Sequence, residues 1–279
     1  MPGRSVPERR VPERRVPVPG GVGVRAAEVV SGQRPVAQPR DAATVVLVRP
    51  ALDMQMLDVL MLARARAMDF APGAHVFPGG SVDPQDADVP WEGPAPEGLG
   101  VPDERARALV CAAVRETFEE SGVLLAGTPD GLAGAPGAED RRALLAGQVS
   151  FGEVLTRRGL ALRADLVTPW ARWITPEAAD RRFDTWFFAA AMPDGQVASA
   201  SAESDSVAWL RPRDALEAAR AGQLTLLPPT AVTLAEIGGY TDPQAVLAAR
   251  REVTPLMPVV QVEDGHAWLT MPDGMEYPL

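Results

Sequence analysis

An α/β fold class is expected for this sequence, and the strand-like and helix-like stretches that alternate along it are compatible with that class without establishing it. Ala43-Thr44-Val45-Val46-Leu47-Val48 and Leu57-Asp58-Val59-Leu60-Met61-Leu62-Ala63 are apolar, partly β-branched runs of strand length. A helical pattern follows over Arg105 to Ser121, apolar at Ala108, Leu109, Ala112 and Ala113 and closed by Gly122, which suits a left-handed stop. A second strongly strand-like run, Arg182-Phe183-Asp184-Thr185-Trp186-Phe187-Phe188-Ala189-Ala190-Ala191, comes later. With 279 residues and 46% hydrophobic content, the chain can bury a substantial core. Several α/β architectures are compatible with these segments.

Taken in order, residues 1–40 open with a direct repeat, Val6-Pro7-Glu8-Arg9-Arg10 and Val11-Pro12-Glu13-Arg14-Arg15. This Arg/Pro-rich arm has few large apolar groups and reads as disordered or PPII-like. Ordered chain is expected from near Ala42, with the two apolar runs as adjacent strands. Arg64 and Arg66 come next, then Phe70-Ala71-Pro72-Gly73-Ala74-His75-Val76-Phe77-Pro78-Gly79-Gly80. Paired glycines after a short strand let backbone approach a ligand closely. His75 has a functional reading, although a lone histidine beside a strand is more often structural.

Ser81 to Gly100 is turn-rich and reads as an irregular loop carrying Asp83, Asp86, Asp88, Glu92 and Glu97. Asp103 is expected to cap the helix that follows. Shorter helices are expected at about 139–146 and 151–158, then a stretch from Leu166 to Pro176 leading into the aromatic run. Those aromatics suit base stacking, but buried sheet positions explain them more simply. Beyond them the pattern predicts a strand over 203–210, a helix from Arg213 to Ala221, a break at Leu226-Leu227-Pro228-Pro229-Thr230 and helices over 231–237 and 243–250. A hairpin is expected around Asp264-Gly265. The expected division is thus an arm over 1–40, a principal domain over 41–240, and a C-terminal helix and small hairpin over 241–279.

No apolar run is long enough to span a bilayer and the N-terminus lacks an apolar leader, so a soluble, cytoplasmic protein without membrane attachment is expected. The single cysteine, Cys111, forms no internal disulfide and falls within the apolar helix pattern, as a core residue would. All 27 basic residues are arginine, which excludes a lysine nucleophile or Schiff base; with the abundant Ala, Gly and Pro this resembles a GC-rich bacterial product. Residues 1–40 carry a balance of +5, leaving −15 on residues 41–279. A body so acidic is a poor general nucleic-acid binder, so no nucleic-acid partner is expected, and a small anionic substrate would need metal ions or a local arginine cluster to approach it.

The stretch with most chemical content is Arg115-Glu116-Thr117-Phe118-Glu119-Glu120-Ser121-Gly122-Val123. Glu116, Glu119 and Glu120 stand at i, i+3 and i+4, so a helix projects all three from one face. A hard divalent cation such as Mg²⁺ or Mn²⁺ offsets such repulsion, because it prefers carboxylate oxygens. A solvated acidic helix face is the plainer alternative.

These residues resemble the C-terminal half of the Nudix box, Arg-Glu-apolar-x-Glu-Glu-x-Gly-apolar, departing from it only at the small Thr117. Its N-terminal half, Gly-x5-Glu, is matched by Gly80 and by Asp86 in place of Glu. The usual box leaves seven residues between that acid and the arginine; here residues 87–114 intervene, an insertion of 21 that is assigned to 87–107. The inserted box and the Phe70–Gly80 stretch look like the branch of the mammalian peroxisomal Nudix coenzyme A diphosphatase and its bacterial relatives. So do Trp173-Ile174-Thr175-Pro176, Arg182-Phe183-Asp184-Thr185 and Leu227-Pro228-Pro229-Thr230.

The resemblance implies an α/β/α sandwich around a mixed sheet, with helical additions, and hydrolysis of a nucleoside diphosphate linked to another moiety. It implies that Glu116, Glu119 and Glu120 hold Mg²⁺ or Mn²⁺, with one of them or a metal-bound hydroxide taking the proton of the attacking water. Arg115 would orient a carboxylate through a bidentate pair, and a backbone carbonyl at Gly79 or Gly80 would add an oxygen ligand. Glu203 is the candidate for an additional acid from a later loop, with Asp205 as its rival, and Asp86 is supporting. Substrate-binding candidates are Arg64, Arg66, Phe77 and Gly79, with residues 87–102 as a flap beside the site. The expected reaction converts CoA or acyl-CoA to 3′,5′-ADP and a 4′-phosphopantetheine product. Alternatives are another dinucleotide substrate such as ADP-ribose or NADH, and a non-catalytic binding or regulatory module. A homodimer is left open.

Overall fold

The computed structural model describes residues 16–17, 20–52, 56–65, 72–134, 137–201, 204–263, 266–272 and 275–279. Val45, Val46, Leu47 and Val48 are completely buried, which explains why the Arg40–Pro50 strand lies inside the main sheet. Burial of each such side chain is worth about 1.5–3 kcal/mol relative to exposure. The nine-stranded sheet runs Thr225–Leu226, Ala74–Val76, Leu57–Arg64, Arg40–Pro50, Phe183–Ala191, Thr168–Ile174 and Pro255–Leu256. Ser204–Leu210 also pairs with Leu57–Arg64, and Gly79–Ser81 with Arg40–Pro50. The sheet is mixed: Arg40–Pro50 is parallel to Phe183–Ala191, with Val45 level with Phe188, and antiparallel to Leu57–Arg64 and Gly79–Ser81.

Side-chain alternation along these strands divides the interior into two cores. Ala43, Val45, Leu47, Trp186 and Phe188 face one, Val46, Val48, Phe187 and Ala189 the other. Among the described residues the helices are α1 (Gly20–Val30), α2 (Asp103–Ser121), α3 (Ala138–Leu145), α4 (Phe151–Arg157), α5 (Pro212–Arg220), α6 (Pro228–Ile237) and α7 (Pro243–Leu247). The first core receives α2, α3 and α4, and the second receives α5, α6 and α7. The result is an α/β/α sandwich around a mixed sheet. Two smaller sheets accompany it, one joining Trp91–Glu92, Ala161–Arg163, Ala126–Thr128 and Gly131–Leu132, the other joining Val16–Pro17, His266–Thr270 and Val259–Glu263. Among the described residues no helix is long and apolar enough to cross a membrane.

Four expectations are corrected. The arm does not extend unstructured to residue 40, because Gly20–Val30 is helical, buries Ala26 and brings Gly23 against Ala267 of the C-terminal hairpin. The proline break at 226–230 is the start of α6, with Pro228 and Pro229 at positions where a missing N–H leaves no helix bond unmade. The boundary at residue 240 divides nothing, since Val246 of α7 is buried in the second core and Pro255–Leu256 extends the main sheet. Residues 87–102 are more than a flap: Trp91 and Glu92 pair with Leu162 and Arg163, and Val89 and Leu99 are buried beside α2.

Candidate active site

The acidic stretch forms the last two turns of α2. Asp103, expected as the cap, is the first helical residue after Pro102, where with Glu104 it complements the positive helix end. Gly122 stops the helix at φ 75° and donates its N–H to Phe118 O at 2.9 Å. Thr117 is fully buried and donates its hydroxyl to Ala113 O at 2.7 Å, which accommodates a small polar residue where the box usually has a larger apolar one.

Arg115 organises the centre of the site. Its Nε and Nη2 donate to Asp86 Oδ1 and Oδ2 at 2.9 and 3.0 Å, a bidentate pair. Nη2 also donates to Ser81 O at 2.9 Å, while Nη1 reaches Glu116 Oε1 at 2.8 Å and Glu119 Oε1 at 3.4 Å. Asp86 is brought inward by the short 3₁₀ turn Pro84–Asp88 and accepts Asp83 N–H at 2.7 Å, so it is only 2% exposed. That turn compensates for the methylene Asp86 lacks relative to Glu.

The diglycine corner meets the same helix. Gly79 donates its N–H to Glu120 Oε2 at 2.8 Å, and a Cβ at Gly80 would stand 2.5 Å from Glu116 Cδ. Glu116 and Glu120 thus face the corner, whereas Glu119 borders a cleft of about 500 Å³ with Asp83, Asp86, Arg115, Gln148 and Ser150. Burial, with the negative charges of Glu119 and Asp86, pushes the Glu116 carboxyl up to about 7 against the opposing pull of Arg115. Burial pushes the Cys111 thiol up as well, with Asp86 Oδ1 3.4 Å from its sulfur, so Cys111 is a core group.

Among the described residues no three His, Cys, Asp or Glu side chains converge as a ready metal cage. Arg115 lies between Glu116 and Glu119, and Glu120 is engaged by Gly79. The donors still fit a hard divalent cation chemically: carboxylate oxygens on successive turns, with the Glu116 carboxylate filling the space a Cβ at Gly80 would take.

Other expected site residues are dispersed. Arg64 ends the Leu57–Arg64 strand opposite Ser204, and Asp205 is exposed next to it. Phe77 is corrected to a core residue: it is 3% exposed and packs edge-on against Phe187 at 6.4 Å, so its ring offers no face to a ligand. His75 is held by strand pairing to Ala63 and Leu226, and burial lowers its pKa. Arg66 and Glu203 lie outside the described residues. Arg141 of α3, which no local sequence signal marks, joins the site's edge by donating Nε to Glu119 O at 2.9 Å.

A family model for the NUDT19 Nudix domain matches residues 92–237. Putative nudix hydrolase 7 of Caenorhabditis elegans is 31% identical over 185 residues, covering 66% of this chain and 57% of that protein. Acyl-coenzyme A diphosphatase NUDT19 of Homo sapiens is 33% identical over 217 residues, covering 61% and 58%. The chain spans less than two thirds of the length of these relatives. A crystal structure of a NUDIX hydrolase from Alicyclobacillus acidocaldarius superposes with a TM-score of 0.67 at 28% identity, covering 77% of this chain and 98% of that one. The helix of carboxylates bound to a diglycine corner, the three-layer α/β/α sandwich that carries it and the span of the family match together place this chain in the Nudix hydrolase superfamily, in the branch defined by the NUDT19 Nudix domain.

Proposed function

We propose that the chain is a divalent-metal-dependent diphosphatase that cleaves the pyrophosphate of CoA or acyl-CoA, giving 3′,5′-ADP and 4′-phosphopantetheine or its acyl derivative. The supporting observation is that Glu116 and Glu120 meet the diglycine corner while Glu119 faces the cleft. The acyl-coenzyme A diphosphatase relatives supply the substrate class. Glu116, Glu119 and Glu120, with the Gly80 carbonyl, are the groups to hold Mg²⁺ or Mn²⁺. When bound, the cation would neutralise the pyrophosphate and acidify the attacking water.

The protein's own groups do the rest. Asp86 fixes the Arg115 fork, and Arg115 then orients Glu116 and Glu119. Gly79 N–H holds Glu120 from the other side. One of the three carboxylates takes the proton released as water attacks phosphorus, and the phosphoanhydride oxygen leaves with the other product. Hydrolysis of a panel of CoA, acyl-CoAs, ADP-ribose, NADH and nucleotide sugars with Mg²⁺ or Mn²⁺, read by product mass, tests this. The expected product from CoA is 3′,5′-ADP. Preference for ADP-ribose would remove the CoA assignment, and no turnover of any substrate would remove the enzymatic one.

A further inference from the structure

The last turn of an α-helix leaves carbonyls without intrahelical partners, and in α2 one of these belongs to Glu119. Arg141 of α3 donates Nε to that carbonyl at 2.9 Å. The same guanidinium donates Nη1 to Ser199 Oγ at 2.8 Å and Nη2 to Ser199 O at 3.1 Å. Ser199 in turn donates its N–H to Ser121 O at 2.8 Å. One rigid planar group therefore joins the end of the carboxylate helix, the neighbouring helix and the segment before the Ser204–Leu210 strand. Gly122 leaves the arrangement room, since a Cβ there would stand 3.2 Å from Arg141 Nη1 and 3.4 Å from Ser199 Oγ, a tight fit.

We propose that Arg141 is a positioning residue for cation binding: its three-way clamp fixes the last turn of α2 and thereby the directions of the Glu119 and Glu120 carboxylates. The inference rests on the reading of Glu116, Glu119 and Glu120 as the cation-holding group. The three bonds set the rotation of the turn about the helix axis, and a small rotation there is amplified at the ends of two glutamate side chains. Arg141 also brings positive charge toward Glu120, an attraction that on its own opposes cation entry. Charge and geometry thus act in opposite directions, and a variant that keeps the charge while losing the fork separates them. Arg141→Lys is that variant, because an ammonium group cannot span Glu119 O and both oxygens of Ser199 at once.

The test is Mn²⁺ binding to the full chain without substrate, followed by electron paramagnetic resonance of the free ion, with thermal unfolding and steady-state hydrolysis of CoA on the same samples. The expected result is a folded R141K whose Mn²⁺ dissociation constant rises about tenfold or more, the scale seen when a group supporting a metal ligand is lost. The accompanying loss in turnover should fall on kcat and leave KM for CoA within about twofold, as for an interaction not made to substrate. A folded R141K that binds Mn²⁺ as tightly as the unaltered protein overturns the inference, even if its Tm is lowered. Should R141K fail to fold, Ser199→Ala removes the Nη1 acceptor alone; it is expected to weaken Mn²⁺ in the same direction, and unchanged affinity in folded protein overturns the inference. If E119Q and E120Q bind Mn²⁺ as the unaltered protein does, the carboxylate assignment itself fails, a result separable from the behaviour of R141K.

Discussion

Glu120 Oε2 accepts the backbone N–H of Gly79 at 2.8 Å, tying the end of α2 to a turn 41 residues earlier in the chain. The bond holds one carboxylate of the crowded set in place before any ligand arrives, whereas Glu116 and Glu119 must still part from Arg115 to take a cation. Glu119→Gln and Glu120→Gln are expected to lower kcat for CoA hydrolysis by at least roughly 10²–10³-fold, the scale of losing one preorganised electrostatic group. Because glutamine keeps an oxygen for Gly79, E120Q should retain a Tm close to that of the unaltered protein. Near-full Mg²⁺-dependent activity in both variants would show that these carboxylates are not the cation site.

The two corner glycines should respond differently to alanine. At Gly80 the added Cβ meets the carboxylate of Glu116, the flexible end of a side chain, which can swing away. At Gly79 it meets the Ala43 carbonyl and stands 2.7 Å from Thr44 Cα, so strand pairing itself must shift. Gly80→Ala is therefore expected to lower kcat and weaken Mg²⁺ activation with little change in Tm, whereas Gly79→Ala should cost about 1–3 kcal/mol of stability. Denaturant unfolding beside Mg²⁺-activation curves checks both; equal destabilisation by the two would contradict the argument.

What could be read from the chain, and what could not, follows from how local each signal is. The Ala43–Val48 run, the one-sided pattern from Arg105 to Ser121 and the Gly122 stop depend on neighbours within a few residues, and each is found where the pattern puts it. Helix α1 was not legible, because glycine-rich Gly20–Val30 has weak intrinsic helix propensity and forms against a hairpin more than 200 residues away. The pairing of Trp91–Glu92 is too short to show a period. Phe77 looked like a ligand contact by its place in the motif, yet its ring is taken up by Phe187 across the sheet. Arg141 had no local signal, since its acceptors lie 22 and 58 residues away.

Asp86 and Arg115 form a nearly enclosed ion pair, with side chains 2% and 12% exposed. Asp86→Asn removes the bidentate partner while Glu116 and Glu119 still face Arg115, so it is expected to cost about 1–3 kcal/mol. A second effect should accompany it. Freed from Asp86, the Arg115 fork will compete for Glu116 and Glu119, so the Mg²⁺ concentration required for half-maximal activity should rise. Unfolding by denaturant measures the first effect and activation curves the second. Unchanged stability in D86N would mean that the pair is screened in solution.

The Glu116 carboxyl has a pKa of about 7 in the folded protein against an ordinary 4.5, burial being the principal cause. Between those values the folded state holds a proton that the unfolded state has released, so stability falls as pH rises. The contribution of this group is complete below about 4.5 and is lost as pH climbs through about 7. In protein kept metal-free with chelator, Tm should therefore decline from pH 5 to pH 8 more steeply than in Glu116→Gln, which has no proton to lose. Excess Mn²⁺ should reverse the trend, because a cation bound by the ionised carboxylate stabilises the folded state more strongly as pH rises. Thermal unfolding of both proteins over this range, with and without Mn²⁺, gives four curves. If the metal-free curves of the two proteins run parallel, Glu116 titrates at its ordinary value and the crowding around it is relieved in solution.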